Sequence, residues 1–263
     1  MSEFEKLRII TKYEFLKHLR RKRLYAVMGI VIAVVLSILV GLPAFGVDYP
    51  DDVTAMAGML SISATLASIG AVFFAGDAIA GEFESKTGYI LFPTPVRRTT
   101  LVIGKYLACY AAVALIVLLG YGIVCASLLG IYGQIPIEVG TSLVLCLLFA
   151  GSVLSLTFFF SSISKGAMGA TVMTLAFIML ISGTIDGVLM MADQPSWFLL
   201  SRTGDAVIMV YPGFKAMMTA GMGVGMPAGA LEYDIGLAAA AMATYLVICF
   251  FLSIFFTRRR EML

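Results

Sequence analysis

The residues of this chain that could carry out chemistry are few and widely separated. The only histidine, His18, has no second histidine for a paired zinc site, and neither a GxSxG nor a GxxxxGK[ST] motif occurs. The one Gly-Lys pair, Gly104-Lys105, has Thr99 where a phosphate loop needs its first glycine. We therefore predict that the chain is not an enzyme, binds no metal or cofactor itself, and hydrolyses no nucleotide through a phosphate loop.

The four cysteines all lie inside apolar runs: Cys109, Cys125, Cys146 and Cys249. Their spacing matches no metal-binding motif and no disulfide framework, so we interpret them as small buried hydrophobic residues. A bridge between Cys125 and Cys146 is the alternative, because these two could lie at similar depth in adjacent membrane spans.

Two carboxylates, Asp77 and Asp186, lie in or beside long apolar runs. A charge inside a membrane is costly, so each is a candidate functional residue, and the alternative is hydration near the membrane surface. Hydration is the favoured interpretation for Asp77, which Glu82 and Glu84 follow closely. Neither belongs to a cluster of His, Asp, Glu or Lys at one depth, as a lipid-modifying membrane enzyme would need.

Composition excludes an ordinary soluble domain, since 60% of the 263 residues are hydrophobic, 13% are charged and the mean hydropathy is +1.00. Of the eighteen Lys and Arg residues, all but Arg202 and Lys215 fall in alternate polar segments. Cationic segments stay in the cytoplasm, so we predict a multi-pass cell-membrane protein with both termini cytoplasmic. The cations lie at membrane edges and meet anionic lipid, and no basic domain for nucleic acid is present.

Six apolar windows are each long enough for a helix to cross the bilayer. They are residues 24–45, 55–80, 101–130, 140–162, 168–192 and 236–257. These runs are continuous rather than alternating, which excludes a β-barrel and leaves helices. The sequence thus predicts an all-α integral membrane protein with six transmembrane helices, forming a single domain over residues 1–263.

Three segments outside these windows carry further predictions. Residues 1–23 should form an interfacial helix at the cytoplasmic membrane surface, held by its cations as much as by an apolar face. In the cytoplasmic segment 81–100, Pro93 and Pro95 must end a first short helix before the next one begins. The outer segment 193–235 is broken by Gly and Pro, so we expect re-entrant short helices there, covered by protein.

The segment from Gly81 to Arg98, with the Gly-Lys pair that follows, resembles the permease subunits of ABC transporters of the type-2 exporter family. The family pattern has Glu, a Gly-Thr pair, a short apolar run, Pro and Arg, then Gly-Lys opening the next span. The matching residues are Glu84, Thr87-Gly88 in reversed order, Pro95, Arg97 and Gly104-Lys105.

This resemblance implies that segment 81–100 contains a coupling helix, which docks on a separate ATPase subunit that binds ATP and Mg. The residues implied in coupling are Glu82, Phe83, Glu84, Lys86, Thr87, Gly88, Pro93, Pro95 and Arg97. The alternative is a solvated loop, in which Arg97, Arg98 and Lys105 only anchor the spans by snorkelling.

The function predicted from these features is that of a permease subunit of an ATP-driven ABC export system. Six spans make too thin a wall for a full pathway, so the chain should pair with itself or with a sister permease. A membrane scaffold or assembly factor without transport has the same topology and stays open. A lipid-modifying enzyme ranks lowest, and the transported substrate is not indicated.

Overall fold

The computed structural model describes residues 3–84, 98–192, 194–221 and 234–259, and every regular element in them is helical. The elements are α1 (Glu3–Arg20), α2 (Lys22–Ala44), α3 (Val53–Ala75), α4 (Ala80–Glu84), α5 (Arg98–Tyr132), α6 (Glu138–Ile163), α7 (Ala167–Leu175), a π-helical segment (Ala176–Ser182), α8 (Gly183–Met191), α9 (Leu200–Met209), α10 (Pro212–Gly221) and α11 (Ile235–Arg259).

Six helical stretches are long and apolar enough to cross a membrane. They are α2, α3 continued towards α4, α5, α6, α7 with the π segment and α8, and α11. This confirms the prediction of an all-α protein with six spans. The second span is not one straight helix to residue 80, because α3 ends at Ala75 and a turn at residues 76–79 precedes α4.

Successive spans alternate in direction, so α1, α4, the start of α5 and the end of α6 meet at one end of the bundle, here termed the α1 end. Helix α1 was predicted as a helix and is one, and it packs along α5. Its position at the membrane surface stays a prediction.

Helix α6 is the centre of the bundle and packs against α3, α5 and α11. Serine hydroxyls join it to α11 directly: Ser152 Oγ donates to the Met242 carbonyl at 2.7 Å, and Ser253 Oγ donates to the Phe158 carbonyl at 3.1 Å. Small residues and serines are typical of helix interfaces in lipid, where the hydrophobic effect no longer drives association.

The first and fifth spans are the least buried. On the fifth span, Met168 is 80% exposed and Met191 is 91% exposed. On α2, Ile30 and Val40 also project outward. These apolar faces need a cover of lipid or of another chain.

At the opposite end of the bundle, α9 and α10 pack on α3 and α6. Tyr211 and Ser61 share a hydrogen bond of 2.9 Å between their hydroxyls, and Ser142 Oγ donates to the Val207 carbonyl at 2.7 Å. Short helices are therefore present within the segment 193–235, with their inner faces covered by protein. Their depth in the membrane stays a prediction, and residues 222–233 lie outside the described part.

Candidate functional site at the α1 end

A buried ammonium group organises the α1 end. Lys105 Nζ on α5 lies 2.5 Å from Glu82 Oε1 on α4 and 3.1 Å from Glu14 Oε1 on α1. Lys105 is only 3% exposed and Glu82 is 8% exposed. One side chain therefore ties the N-terminal helix and the start of segment 81–100 to the third span.

Lys17 completes this set of charges, with its Nζ 3.1 Å from Glu14 Oε2. The four groups alternate in sign and sum to zero, and the largely buried Glu14, Glu82 and Lys105 are each paired with an opposite charge, whereas Lys17 is exposed. Burial alone would raise the pKa of the Glu14 carboxyl, but the neighbouring Lys105 and Lys17 together lower that pKa below its usual value. Glu14 is therefore ionised at neutral pH and holds its part of the network.

Gly104 explains why α1 can approach α5 closely enough for these contacts. A Cβ atom at residue 104 would lie 2.7 Å from Ile10 Cγ2 of α1, closer than side chains tolerate. The Gly104-Lys105 pair thus has two structural tasks: the glycine admits α1, and the lysine binds it.

The turn at the end of the second span is closed by a side chain from the fourth. Ser161 Oγ accepts hydrogen bonds from the backbone N–H groups of Ile79 and Ala80, at 3.3 and 2.9 Å. The same hydroxyl donates to the Gly76 carbonyl at 2.9 Å. Because the helix is interrupted there, these backbone groups lack helical partners, and Ser161 supplies them.

Asp77 lies in this turn and forms an ion pair with Arg21 and a second one with Arg23, whose NH1 atom is 3.3 Å from Asp77 Oδ2. Its side chain is 16% exposed. Asp77 therefore joins the turn to the start of α2, and its charge is compensated by two cations.

Glu84, at the end of α4, reaches the start of the fifth span. Its Oε2 accepts a hydrogen bond from the backbone N–H of Ala167 at 2.9 Å. Ala167 is the first residue of α7, where unpaired N–H groups and the helix dipole favour a negative charge. The beginning of segment 81–100 is therefore connected to α1, to the third span and to the fifth.

Several residues implied in coupling lie outside the described residues: Lys86, Thr87, Gly88, Pro93, Pro95 and Arg97. Phe83 lies within α4, but its side chain is not described. Of the nine, Glu82 is paired with the charged group of Lys105, and Glu84 accepts a backbone N–H group at the start of α7. As contacts to an ATPase, all nine stay predictions.

Asp186 is separate from this site. It lies on α8, and its Oδ1 atom is buried without a hydrogen-bond partner among the described residues. The two candidate carboxylates, Asp77 and Asp186, therefore do not form one site, and a functional role for Asp186 stays a prediction.

His18 is buried at the junction of α1 with α3 and α5. Its Nε2 atom lies 3.3 Å from Cys109 Sγ, its ring meets Phe74 edge to face, and its Nδ1 atom has no partner among the described groups. Burial and the nearby Arg21 lower the pKa of this imidazole.

All four cysteines are free, so the alternative of a Cys125–Cys146 bridge is wrong. No group of metal-binding side chains occurs among the residues described.

Sequence reasoning misjudged one residue here and missed two. The interpretation of Lys105 as a snorkelling anchor is wrong, because its ammonium points into the protein and is paired with two carboxylates. Glu14 and Ser161 were not singled out. The sequence signal that could have revealed the burial of Lys105 was the glycine beside it. Gly104 lets another helix approach α5 closely, and such a helix can cover the neighbouring cation.

Six helices that are long and apolar enough to cross a membrane indicate a multi-pass membrane protein. The family model described as ABC-2 family transporter protein matches residues 8–196, more than half of the chain, and the chain belongs to this family. It is thus the membrane component of an ABC transporter, in a family whose permeases are generally non-catalytic, and the resemblance found in the sequence is confirmed. A search of curated proteins found no match.

Proposed function

We propose that this chain is the permease subunit of an ATP-driven ABC export system, coupled to a separate ATPase subunit through segment 81–100. ATP and Mg would bind to that partner and not to this chain. The chain would lie in the cell membrane with both termini cytoplasmic, which places the α1 end on the side where ATP is available.

The observation that carries this proposal is the pair of contacts at the beginning of the segment. Glu82 is paired with Lys105, which is also paired with Glu14 of α1, and the Glu84 carboxylate accepts the backbone N–H of Ala167, the first residue of α7. A force applied to segment 81–100 would therefore act on several spans at once instead of being absorbed by a loose loop.

These contacts also refine the role of the two glutamates. Because Glu82 is buried and paired within the chain, it would transmit motion to α1 and α5, while residues further along the segment would contact the ATPase. Glu84 is exposed and also hydrogen-bonded to α7, so it can both transmit motion to the fifth span and contact the ATPase.

Pairing with a second permease chain is part of the proposal. The outward apolar faces of α2 and of the fifth span support it, since an identical or sister chain could cover them together with lipid. Such a pair would enclose a pathway that six spans alone do not.

The first test is affinity purification of the chain from native membranes in mild detergent, with identification of every stoichiometric partner. We expect an ATPase with a phosphate loop at a one-to-one ratio. A homomer that yields no ATPase, even after cross-linking in intact cells, would contradict the proposal and favour a scaffold.

The second test uses the purified complex. Glu84→Lys should lower substrate-stimulated or lipid-stimulated ATPase activity several-fold, because it places a cation at the α7 N-terminus. The control is Glu138→Lys, which makes the same change in the first turn of α6 at the opposite end. An assembled Glu84→Lys complex with unchanged coupling would count against the role of Glu84.

A further inference from the structure

We infer that a groove between α1 and α5 is a binding site for one anionic phospholipid. The groove has a volume of about 480 Å³ and is lined by Phe4, Leu7, Arg8 and Lys12 of α1 and by Leu107 and Ala111 of α5, among others. The inference rests on the proposed position of α1 at the cytoplasmic membrane surface.

The α1 side of the groove combines apolar and cationic groups. Phe4, Arg8 and Lys12 are four residues apart, so they form one row along the helix. Both cations are exposed, and neither is paired with a carboxylate within the described part of the chain. This distinguishes them from Lys6 and Lys17 of the same helix, which are paired with Glu3 and Glu14.

The α5 side is apolar and continues beyond the groove. Leu107 and Ala111 are followed on the same face by Leu115 and Leu118, and Leu107 and Leu118 are 41% and 53% exposed. An acyl chain could therefore lie along α5 while its headgroup stays beside α1.

Charge complementarity identifies the occupant. Two unpaired cations at the membrane surface attract a phosphate group, and the groove residues include no carboxylate that would oppose it. A zwitterionic lipid would gain less from the same two cations. A soluble phosphate would gain nothing from the apolar strip of α5.

The site differs in its task from the network around Lys105. The Gly104 and Ile10 contact and the Glu14 pair hold the adjacent face of α1 against α5. A lipid in the groove would occupy the space between α1 and α5 beside this contact. It would stabilise the position of α1 without contacting Lys105 or its carboxylate partners.

The test is native mass spectrometry of the full chain in mild detergent, titrated with phosphatidylglycerol or phosphatidylcholine of identical acyl chains. We expect preferential retention of one phosphatidylglycerol. Each membrane-surface cation contributes about a fivefold change in affinity for an anionic surface, so Arg8→Gln with Lys12→Gln should weaken this binding roughly 25-fold.

The matched control is Arg20→Gln with Lys22→Gln, which removes one exposed Arg and one exposed Lys outside the groove. Because neither cation lines the groove, this control should weaken phosphatidylglycerol binding clearly less than the groove variant does. Equal loss in the two double variants, or no preference in the unmodified chain, would overturn the inference, since either result indicates unspecific attraction.

Two further measurements distinguish a phospholipid from a free phosphate ion as the occupant of the groove. Ala111→Trp, which fills the groove without changing its charge, should reduce retention of phosphatidylglycerol. Inorganic phosphate should fail to displace the lipid, and full displacement would overturn the assignment. These measurements need no ATPase, so their failure leaves the proposed coupling intact, and absence of an ATPase leaves the lipid result intact.

Discussion

Glu84 and Ala167 are 83 residues apart in the chain, yet the carboxylate of the first accepts the backbone N–H of the second at 2.9 Å. The N-cap residue of α7 is Gly166, which has no side chain to satisfy that group. Glu84 of α4 thus supplies the acceptor that a local Ser, Thr or Asp would ordinarily supply. The first turn of the fifth span is therefore contacted and capped by a side chain of α4.

Removal of this contact should loosen the first turn of α7. Replacing a capping side chain with Ala costs about 0.5–2 kcal/mol. Hydrogen–deuterium exchange at residues 167–170 should therefore be faster in Glu84→Ala and intermediate in Glu84→Gln, which keeps an acceptor but loses the charge. Unchanged exchange in the Ala variant would show that the contact does not stabilise α7.

Lys105→Met should strongly destabilise the fold, because Glu14 and Glu82 would stay buried without their shared cation. Breaking a buried ion pair costs about 3–5 kcal/mol, which thermal unfolding in detergent would detect. Replacing all three groups, as in Glu14→Gln, Glu82→Gln and Lys105→Met together, should recover most of the loss. Lys17→Met is the control, since an exposed pair contributes about 0–1 kcal/mol.

Ser161→Ala removes the hydroxyl that binds three backbone groups at the end of the second span. These groups are the N–H of Ile79, the N–H of Ala80 and the carbonyl of Gly76. We expect a loss of about 1–3 kcal/mol per unsatisfied buried group, reduced where water enters the turn. Ser63→Ala is the matched control, because the buried Ser63 hydroxyl only donates within its own helix. Similar melting temperatures for the two variants would contradict the role assigned to Ser161.

Gly104→Ala should push α1 away from α5, since its new methyl group would meet Ile10. Overpacking of this kind costs about 1–3 kcal/mol. Gly130→Ala on the same helix has open space around it and should be neutral or stabilising. Adding Ile10→Ala to Gly104→Ala removes the methyl group that clashes, so recovery of thermal stability is the specific result expected.

His18 should make stability depend on pH. Its pKa is lower in the folded protein than in the unfolded chain, so unfolding takes up a proton and stability falls as the pH drops below about 6.5. The groups around it are Arg21, Lys17, Glu14 and Asp77. The pKa of Glu14 is lowered from 4.5, so that carboxylate stays ionised above pH 5.5.

The measurement is the change in melting temperature between pH 7.5 and pH 5.5. We expect a clear decrease for the natural chain and a smaller decrease for His18→Gln, which cannot take up this proton. Equal decreases in both proteins would assign the pH dependence to other groups.

The six candidate spans could be predicted from sequence because bilayer thickness sets a minimum apolar length. The orientation that the bias of Lys and Arg indicates stays a prediction. The contacts at the α1 end could not. Glu14, Glu82 and Lys105 come from three separate elements, and their meeting depends on how α1 crosses α5. Hydropathy averaged over a window also did not show that the second span breaks at residues 76–79, because Ala78, Ile79 and Ala80 resume the apolar run directly after Gly76 and Asp77.

The order of the charges along the chain has a consequence for synthesis. Glu14 and Glu82 both precede Lys105, and proteins are made from the N-terminus. Each carboxylate therefore already exists when the third span enters the membrane, and the lysine can meet a counter-ion as it arrives. The reverse order would leave the Lys105 ammonium without either carboxylate partner until these were translated. A circular permutant that begins between the second and third spans should for this reason insert less efficiently than the natural chain.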